Sequence, residues 1–150
     1  MSPKPSAATN EATRREWRLL GFHYHRDHGL RRWLITASRA GLRKLCELLR
    51  AYAADPRNTA ISEHEHLGPY SHLELMTWQD ALIDHHAICG APKDFERLAT
   101  LIEETTAGLT PGSAIELAKA YAPASPYELR LELREDSFDP ASADPQLSEG

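Results

Sequence analysis

The sequence has few of the features by which several large functional classes are recognised. It holds only two cysteines, Cys46 and Cys89, and no C-x-x-C pair, which excludes a zinc ribbon. No apolar run approaches the roughly 18 residues that a membrane-spanning helix needs, and the first residues hold no apolar segment of a secretory signal. The G-x-S-x-G, P-loop and G-x-G-x-x-G motifs are also absent. We therefore expect a cytoplasmic protein without a membrane span, in which both thiols are free and buried.

Basic charge is scarce in the second part of the chain. The net charge is −5, but residues 1–57 hold twelve Lys and Arg against five Asp and Glu, whereas residues 58–150 hold five against seventeen. Because no dense run of Lys and Arg occurs, nucleic acid is an unfavoured partner. The acidic part is either an ordinary solvated face or a surface that attracts a basic protein partner, and the composition leaves both interpretations open.

Hydrophobic periodicity predicts three hairpins separated by two helices. The first hairpin turns through a three-residue loop, Asp27 to Gly29. One helix is capped by Ser38 and stopped by Pro56, and the other begins near Pro92 and ends near Gly108. Hairpin and helix thus occur twice, although no sequence repeat can be aligned. The predicted strands are 15–25, 30–37, 70–78, 84–90, 113–121 and 127–135.

These elements predict an α+β fold of two layers. Six strands in the order ββαββαββ form a mostly antiparallel sheet, and both helices cover one face of it. The composition predicts a disordered N-terminal segment at 1–14, a single domain at 15–136 and an acidic flexible tail at 137–150.

An antiparallel sheet covered on one side leaves its other face open. Strand parity assigns Leu73 and Leu75 to the helix side and the even-numbered residues beside them to the open side. With a three-residue loop, residue 23 lies opposite Trp33, which puts all three tryptophans on the open face; a two- or four-residue turn would move Trp33 to the helix side. Tryptophan and arginine are the residues that anchor protein interfaces. In the alternative interpretation, a loop or tail covers this face and makes it a second core. The predicted partner-binding residues are Trp17, His23, His25, Arg31, Trp33, Tyr70, His72, Glu74, Met76 and Trp78.

Eight histidines are many for 150 residues. His23 and His25, and likewise His64 and His66, form H-x-H pairs, and on a strand such a pair points both imidazoles to one side, as metal ligands require. Neither pair has an assigned third ligand. We name His64 and His66 as the candidate metal ligands, and we predict no other cofactor and no catalytic residue.

The segment "GLRKLCELLRAYAADP", followed by "HEHL" and a strand that closes on Trp78, resembles the immunity proteins found beside bacterial polymorphic toxins. One class of these combines a hairpin, a helix with spaced leucines, an H-x-H-L segment and a downstream tryptophan. The resemblance covers residues 15–78, with His64, His66 and Trp78 as the pattern positions. It implies a small bacterial cytoplasmic inhibitor that has no catalysis of its own.

Three hypotheses follow for the function. The first is a non-enzymatic binding protein that uses the open sheet face on a protein partner, such as a basic toxin domain. The second is a metal-dependent enzyme built on the H-x-H pairs. The third is a homodimer that buries the open face against a second copy of the chain.

Overall fold

The computed structural model of this protein describes residues 6–70 and 72–147. Its elements are of both kinds and interleave along the chain, which confirms the general α+β class. The helices are α1 Ala7–Leu20, α2 Arg39–Ala54, α3 Pro92–Thr106 and α4 Ala118–Tyr121, with two short 3-10 helices at Pro56–Thr59 and Pro140–Ala143. The strands are β1 Phe22–Asp27, β2 Arg32–Ala37, β3 His64–Leu67, β4 Leu73–Thr77, β5 Leu82–Ile83, β6 Ala87–Gly90, β7 Ala114–Glu116 and β8 Glu128–Leu133.

The strands form two four-stranded mixed sheets, so the prediction of a single six-stranded antiparallel sheet was wrong. Sheet A has the order β1-β2-β8-β7, and sheet B has the order β3-β4-β6-β5. In each sheet two antiparallel hairpins pair in parallel through their second strands, β2 with β8 and β4 with β6. Periodicity predicts single elements, whereas strand order depends on contacts between residues far apart in the sequence. β3 was missed because it falls in a predicted loop.

The two halves of the chain follow the same plan of hairpin, helix and hairpin. The first half runs β1-β2-α2-β3-β4 and the second runs β5-β6-α3-β7-β8, and the first hairpin of each half pairs with the second hairpin of the other. The Cys46 thiol of α2 donates to the carbonyl oxygen of Ala99 of α3, 53 residues later, at 3.5 Å. At the same spacing, the buried residues Leu42, Leu45 and Leu49 correspond to Phe95, Leu98 and Ile102.

Local signals start both long helices as the sequence predicts. The Ser38 hydroxyl accepts the backbone N–H of Gly41 at 3.2 Å at the start of α2. At the start of α3, the Asp94 carboxylate accepts the N–H of Ala91 at 2.9 Å. The apolar stripes of α2 and α3 and the inner residues of both sheets form one hydrophobic core. No helix among the described residues is long and apolar enough to cross a membrane.

The segment before β1 is a helix, where the sequence analysis predicted a loose lead-in followed by a strand. Ser6 caps it by accepting the N–H of Thr9 at 3.1 Å, and Gly21 ends it with a φ of 90°. Residues 7–20 are therefore helical, while residues 1–5 of the predicted loose segment lie outside the described residues. Trp17 points into the body of the protein and is buried. The sequence analysis missed these two helix-end signals, Ser6 and Gly21. They outweigh the apolar pattern of the segment, which alternates poorly.

The hairpin of β1 and β2 has a four-residue turn, His28 to Arg31, and this turn reverses the predicted facing of Trp33. Arg31 takes a left-handed φ of 49° in the turn. The register then pairs Trp33 with Arg26 instead of residue 23, and Tyr24 with Ile35. Since a strand alternates its faces, the change of parity moves Trp33 to the core, where it is 0% exposed.

The C-terminal part of the chain packs against α1. Asp139 is ion-paired with Arg18 at 3.0 Å, and the side chains of Ala141 and Leu147 are buried. Asp139, Ala141 and Leu147 belong to the segment 137–150 that the sequence analysis predicted as a flexible tail, and residues 148–150 lie outside the described residues. In the third hairpin, the predicted strand 113–121 is shorter, because residues 118–121 form α4.

Candidate functional site

The strand β4 presents two chemically different faces. Leu73, Leu75 and Thr77 are buried, whereas Glu74 and Met76 between them are only half-buried. Trp78, directly after the strand, is 39% exposed. The predicted parity of this strand is confirmed, because leucines at every second position can enter the core only on one side.

The neighbouring edge strand β3 extends this outer surface. His64 lies opposite Met76 and His66 lies opposite Glu74 in the antiparallel register, so these four side chains share one face of sheet B. The Nδ1 atom of His66 is 3.3 Å from a carboxylate oxygen of Glu74. We call the outer surface formed by His64, His66, Glu74, Met76 and Trp78 the display face.

The centre of sheet B carries a thiol that is buried and unreactive. Cys89 of β6 lies beside Met76 in the register and is 5% exposed. Burial raises the pKa of the Cys89 thiol to about 12, and the nearby carboxylates of Asp84 and Glu74 act in the same direction. The thiol stays protonated at neutral pH and does not supply a nucleophile.

A cleft of about 310 Å³ lies where α1, β1, the entry to β4 and the C-terminal segment meet. The ring of Trp17 packs on the imidazole of His23 with centroids 4.4 Å apart, and both side chains are buried. His25 and His72 are exposed at the rim. Five of the predicted partner-binding residues line this one cleft: Trp17, His23, His25, Tyr70 and His72.

Asp144 holds the wall of the cleft together. One oxygen of its carboxylate accepts Trp17 Nε1–H at 2.9 Å and the Tyr70 hydroxyl at 2.6 Å, and the other accepts the backbone N–H of Gln146 at 2.9 Å. Asp144 is only 2% exposed, so these three donors replace the water that a carboxylate requires. Burial and the bond to Asp144 raise the pKa of Tyr70 well above its usual range, so its hydroxyl remains the donor.

His23 is the one buried histidine of the cleft. Burial lowers its pKa from 6.5 to about 4; the Asp144 carboxylate opposes this shift, and nearby His25 adds to it. His23 is therefore neutral at physiological pH and belongs to the packed wall.

The ten predicted partner-binding residues thus fall into separate places. Five line the cleft, and three, Glu74, Met76 and Trp78, belong to the display face. Arg31 is exposed in the β1–β2 turn. Trp33 is in the core, where its Nε1–H donates to the carbonyl oxygen of Asp84 at 2.8 Å. The expectation that all three tryptophans share an open face was wrong, since Trp17 and Trp33 are buried and only Trp78 is displayed.

The metal-ligand candidates are adjacent. The rings of His64 and His66 have centroids 5.2 Å apart on the exposed edge of sheet B. Among residues 6–70 and 72–147, no group of three or more His, Cys, Asp or Glu side chains is arranged to hold a metal ion. Metal binding by His64 and His66 remains a prediction.

Six cleft residues lie outside the predicted partner-binding set, and Asp144 and Gln146 are two of them. Both lie in the segment predicted to be a loose acidic tail, where aspartate and proline suggested no packing. The available signal was Leu147, an apolar residue at the end of this polar stretch that is buried in the fold.

Comparison of the chain with models of protein families, with curated proteins and with solved structures finds no match in any of the three.

Proposed function

We propose that this protein is a non-enzymatic, cytoplasmic binding protein that holds a protein partner on its display face. Toxin neutralisation is the specific form of this function that the resemblance to immunity proteins implies. The supporting observation is the composition of the display face: an exposed tryptophan, a methionine and two imidazoles beside a carboxylate, on the side of β4 opposite its buried residues Leu73, Leu75 and Thr77.

The chemistry of these side chains supports an interface. Tryptophan and methionine are enriched where proteins bind one another, because each buries a large apolar area. From His72 to Trp78 the alternate side chains of β4 span about 20 Å at 3.3 Å per residue, which is the length of a protein contact. This row of side chains runs from Trp78 to His72, which lines the cleft. A side chain of the partner can enter the cleft.

The charge around the display face favours a basic partner. Asp80 is exposed two residues after Trp78, and Glu74 lies within the display face. Acidic groups on a rim speed association with a basic surface and disfavour acidic competitors. A basic toxin domain is the partner that the charge and the resemblance together favour.

Site-specific photo-cross-linking tests the proposal and requires no identified partner. A photoreactive residue at position 76 should capture one defined protein from extracts of the native host, whereas the same residue at position 30 should not. Leu30 is a matched control, because it is 60% exposed but lies in the β1–β2 turn, away from the display face. Equal capture at both positions would refute the display face as the binding site.

The affinity for the captured protein then tests the role of Trp78. The Trp78→Ala variant should bind it at least about tenfold more weakly, as expected for an interface anchor, while Leu30→Ala binds normally. If the captured protein is a toxin encoded beside this gene, co-expression of the wild type should restore growth and Trp78→Ala should fail to do so. Unchanged affinity of Trp78→Ala would contradict the proposal.

A second copy of the chain is the alternative occupant of the display face. Sedimentation over a range of protein concentrations distinguishes it, because a homodimer formed through this face would dissociate in Trp78→Ala.

A further inference from the structure

A groove between α1 and α2, bordered also by Gly68 of the β3–β4 connection, is largely apolar and shares no lining residue with the display face or the cleft. Its volume is about 470 Å³. The side chain of Leu19 in its wall is 74% exposed, compared with 60% for Leu30 and 54% for Ile61. Leu20, Leu48 and Ala51 line the groove with Leu19, and a contiguous apolar lining of this kind is typical of a site where another molecule binds.

The walls of the groove are held in place by contacts between the two helices. The Lys44 ammonium of α2 donates to the carbonyl oxygen of Leu19, in the last turn of α1, at 2.5 Å. Gly41 of α2 lies so close to the carbonyl oxygen of Gly21 that a Cβ atom would not fit. The groove is therefore present before any partner arrives, and binding need not order its walls.

The spacing of the groove residues matches a helical partner. On α1 the groove is lined at positions 16, 19 and 20, and on α2 at positions 44, 47, 48 and 51. These are intervals of three and four, so each helix offers one ridge, and a third helix can place its own ridge between them. Leu48 lies outside the buried stripe of α2, which runs through Leu42, Leu45 and Leu49. Its half-buried side chain packs partly against the core and also lines the groove.

The charges at the rim of the groove indicate which residues flank the apolar ridge of the partner helix. Glu16 and Glu47 line the groove and are exposed. Within residues 6–70 and 72–147, neither carboxylate forms an ion pair within 4.0 Å. The one cation in the groove wall, Lys44, is engaged with the Leu19 carbonyl. Basic residues that flank an apolar ridge would therefore find two carboxylates without ion-pair partners.

We propose that this groove docks an amphipathic helix of a protein partner, with an apolar ridge between Leu19 and Leu48 and Lys or Arg residues facing Glu16 and Glu47. This is helix-in-groove recognition, in which apolar anchors recur at helical spacing. The inference does not rest on the proposed function, because no residue of the groove belongs to the display face.

Two synthetic peptides test the proposal on the full-length protein. Both are about 14 residues long, enough to form a helix when bound, with leucines at helical spacing and either lysine or glutamate elsewhere. The Leu/Lys peptide should bind and shift the backbone NMR signals of the 16–20 and 44–51 segments, and the Leu/Glu peptide should not bind. Leu19→Ser should weaken binding at least about tenfold, whereas Leu30→Ser, which changes another exposed leucine outside the groove, should leave it unchanged.

Charge reversal separates groove binding from a general attraction to an acidic protein. Glu47→Lys should weaken binding of the Leu/Lys peptide, while Glu104→Lys on α3 makes the same change in net charge and should have little effect. Equal losses in both variants, equal binding of both peptides, or signal shifts outside the groove would overturn the proposal. So would a homodimer in sedimentation that Leu19→Ser dissociates, because a second copy would then be the occupant. Thermal unfolding of each variant confirms that it is folded.

Discussion

Acid should destabilise this protein through a single buried imidazole, that of His23. Its pKa falls from 6.5 to about 4 in the fold, so the folded state binds a proton less readily than the unfolded chain. A group whose folded pKa is lowered in this way contributes its full stability above about pH 6.5 and loses it as the pH falls towards 4. His23 is 7% exposed, so solvent screens little of this effect.

The magnitude follows from the linkage between pKa and stability. One pKa unit corresponds to about 1.4 kcal/mol, so complete protonation of His23 costs about 3 kcal/mol. Between pH 7.5 and pH 5 the loss is about 2 kcal/mol, because His23 would already be charged in the unfolded chain at pH 5 but not in the fold. This is a large part of the stability of a domain of this size.

Urea unfolding at several pH values measures the effect in the wild type and in His23→Gln. The glutamine cannot titrate, so the free energy of unfolding of the wild type minus that of His23→Gln should fall by about 2 kcal/mol from pH 7.5 to pH 5, and titrating groups that do not interact with His23 cancel in that difference. Tryptophan fluorescence, to which Trp17 beside the imidazole contributes, reports the unfolding. Parallel stability profiles of the two proteins would refute a buried neutral His23.

Three further predictions concern the core and the display face. Trp33→Ala should lower the free energy of unfolding by about 3–5 kcal/mol and Trp78→Ala by less than about 1 kcal/mol in urea titrations, and equal losses would contradict their different burial. Gly41→Ala should cost about 3 kcal/mol, because a methyl group there meets a backbone carbonyl at the end of α1, whereas Gly108→Ala, with open space around it, should be neutral or slightly stabilising. In mass spectrometry, Cys89 should resist alkylation at pH 8 until the protein is unfolded, and rapid labelling of the native protein would show that the thiol is neither buried nor protonated.

The candidate site divides into a part that the sequence predicted and a part that it did not. Alternation along residues 73–77 correctly separated the buried leucines from Glu74 and Met76, because pleating acts between adjacent residues. The predicted facing of Trp33 was wrong because it does not depend on adjacent residues alone. Its face depends on the length of one turn, and a single added residue reverses every side chain of a strand relative to its partner.

Trp17 and Asp144 show why the cleft was beyond sequence reasoning. Their side chains are 127 residues apart and meet through one hydrogen bond of 2.9 Å. Neither residue carries a local signal for this contact, since a tryptophan on a helix and an aspartate in a polar segment are both common in proteins.

The sequence by itself determined α2 and α3, the inward leucines of β4 and the general α+β class, because caps, helical spacing and strand alternation are properties of neighbouring residues. Only the tertiary structure decided the split into two mixed sheets, the burial of Trp17 and Trp33 and the closure of the cleft by the C-terminal segment. These depend on which distant surfaces bury the most apolar area against each other, and that choice is made by the whole chain at once.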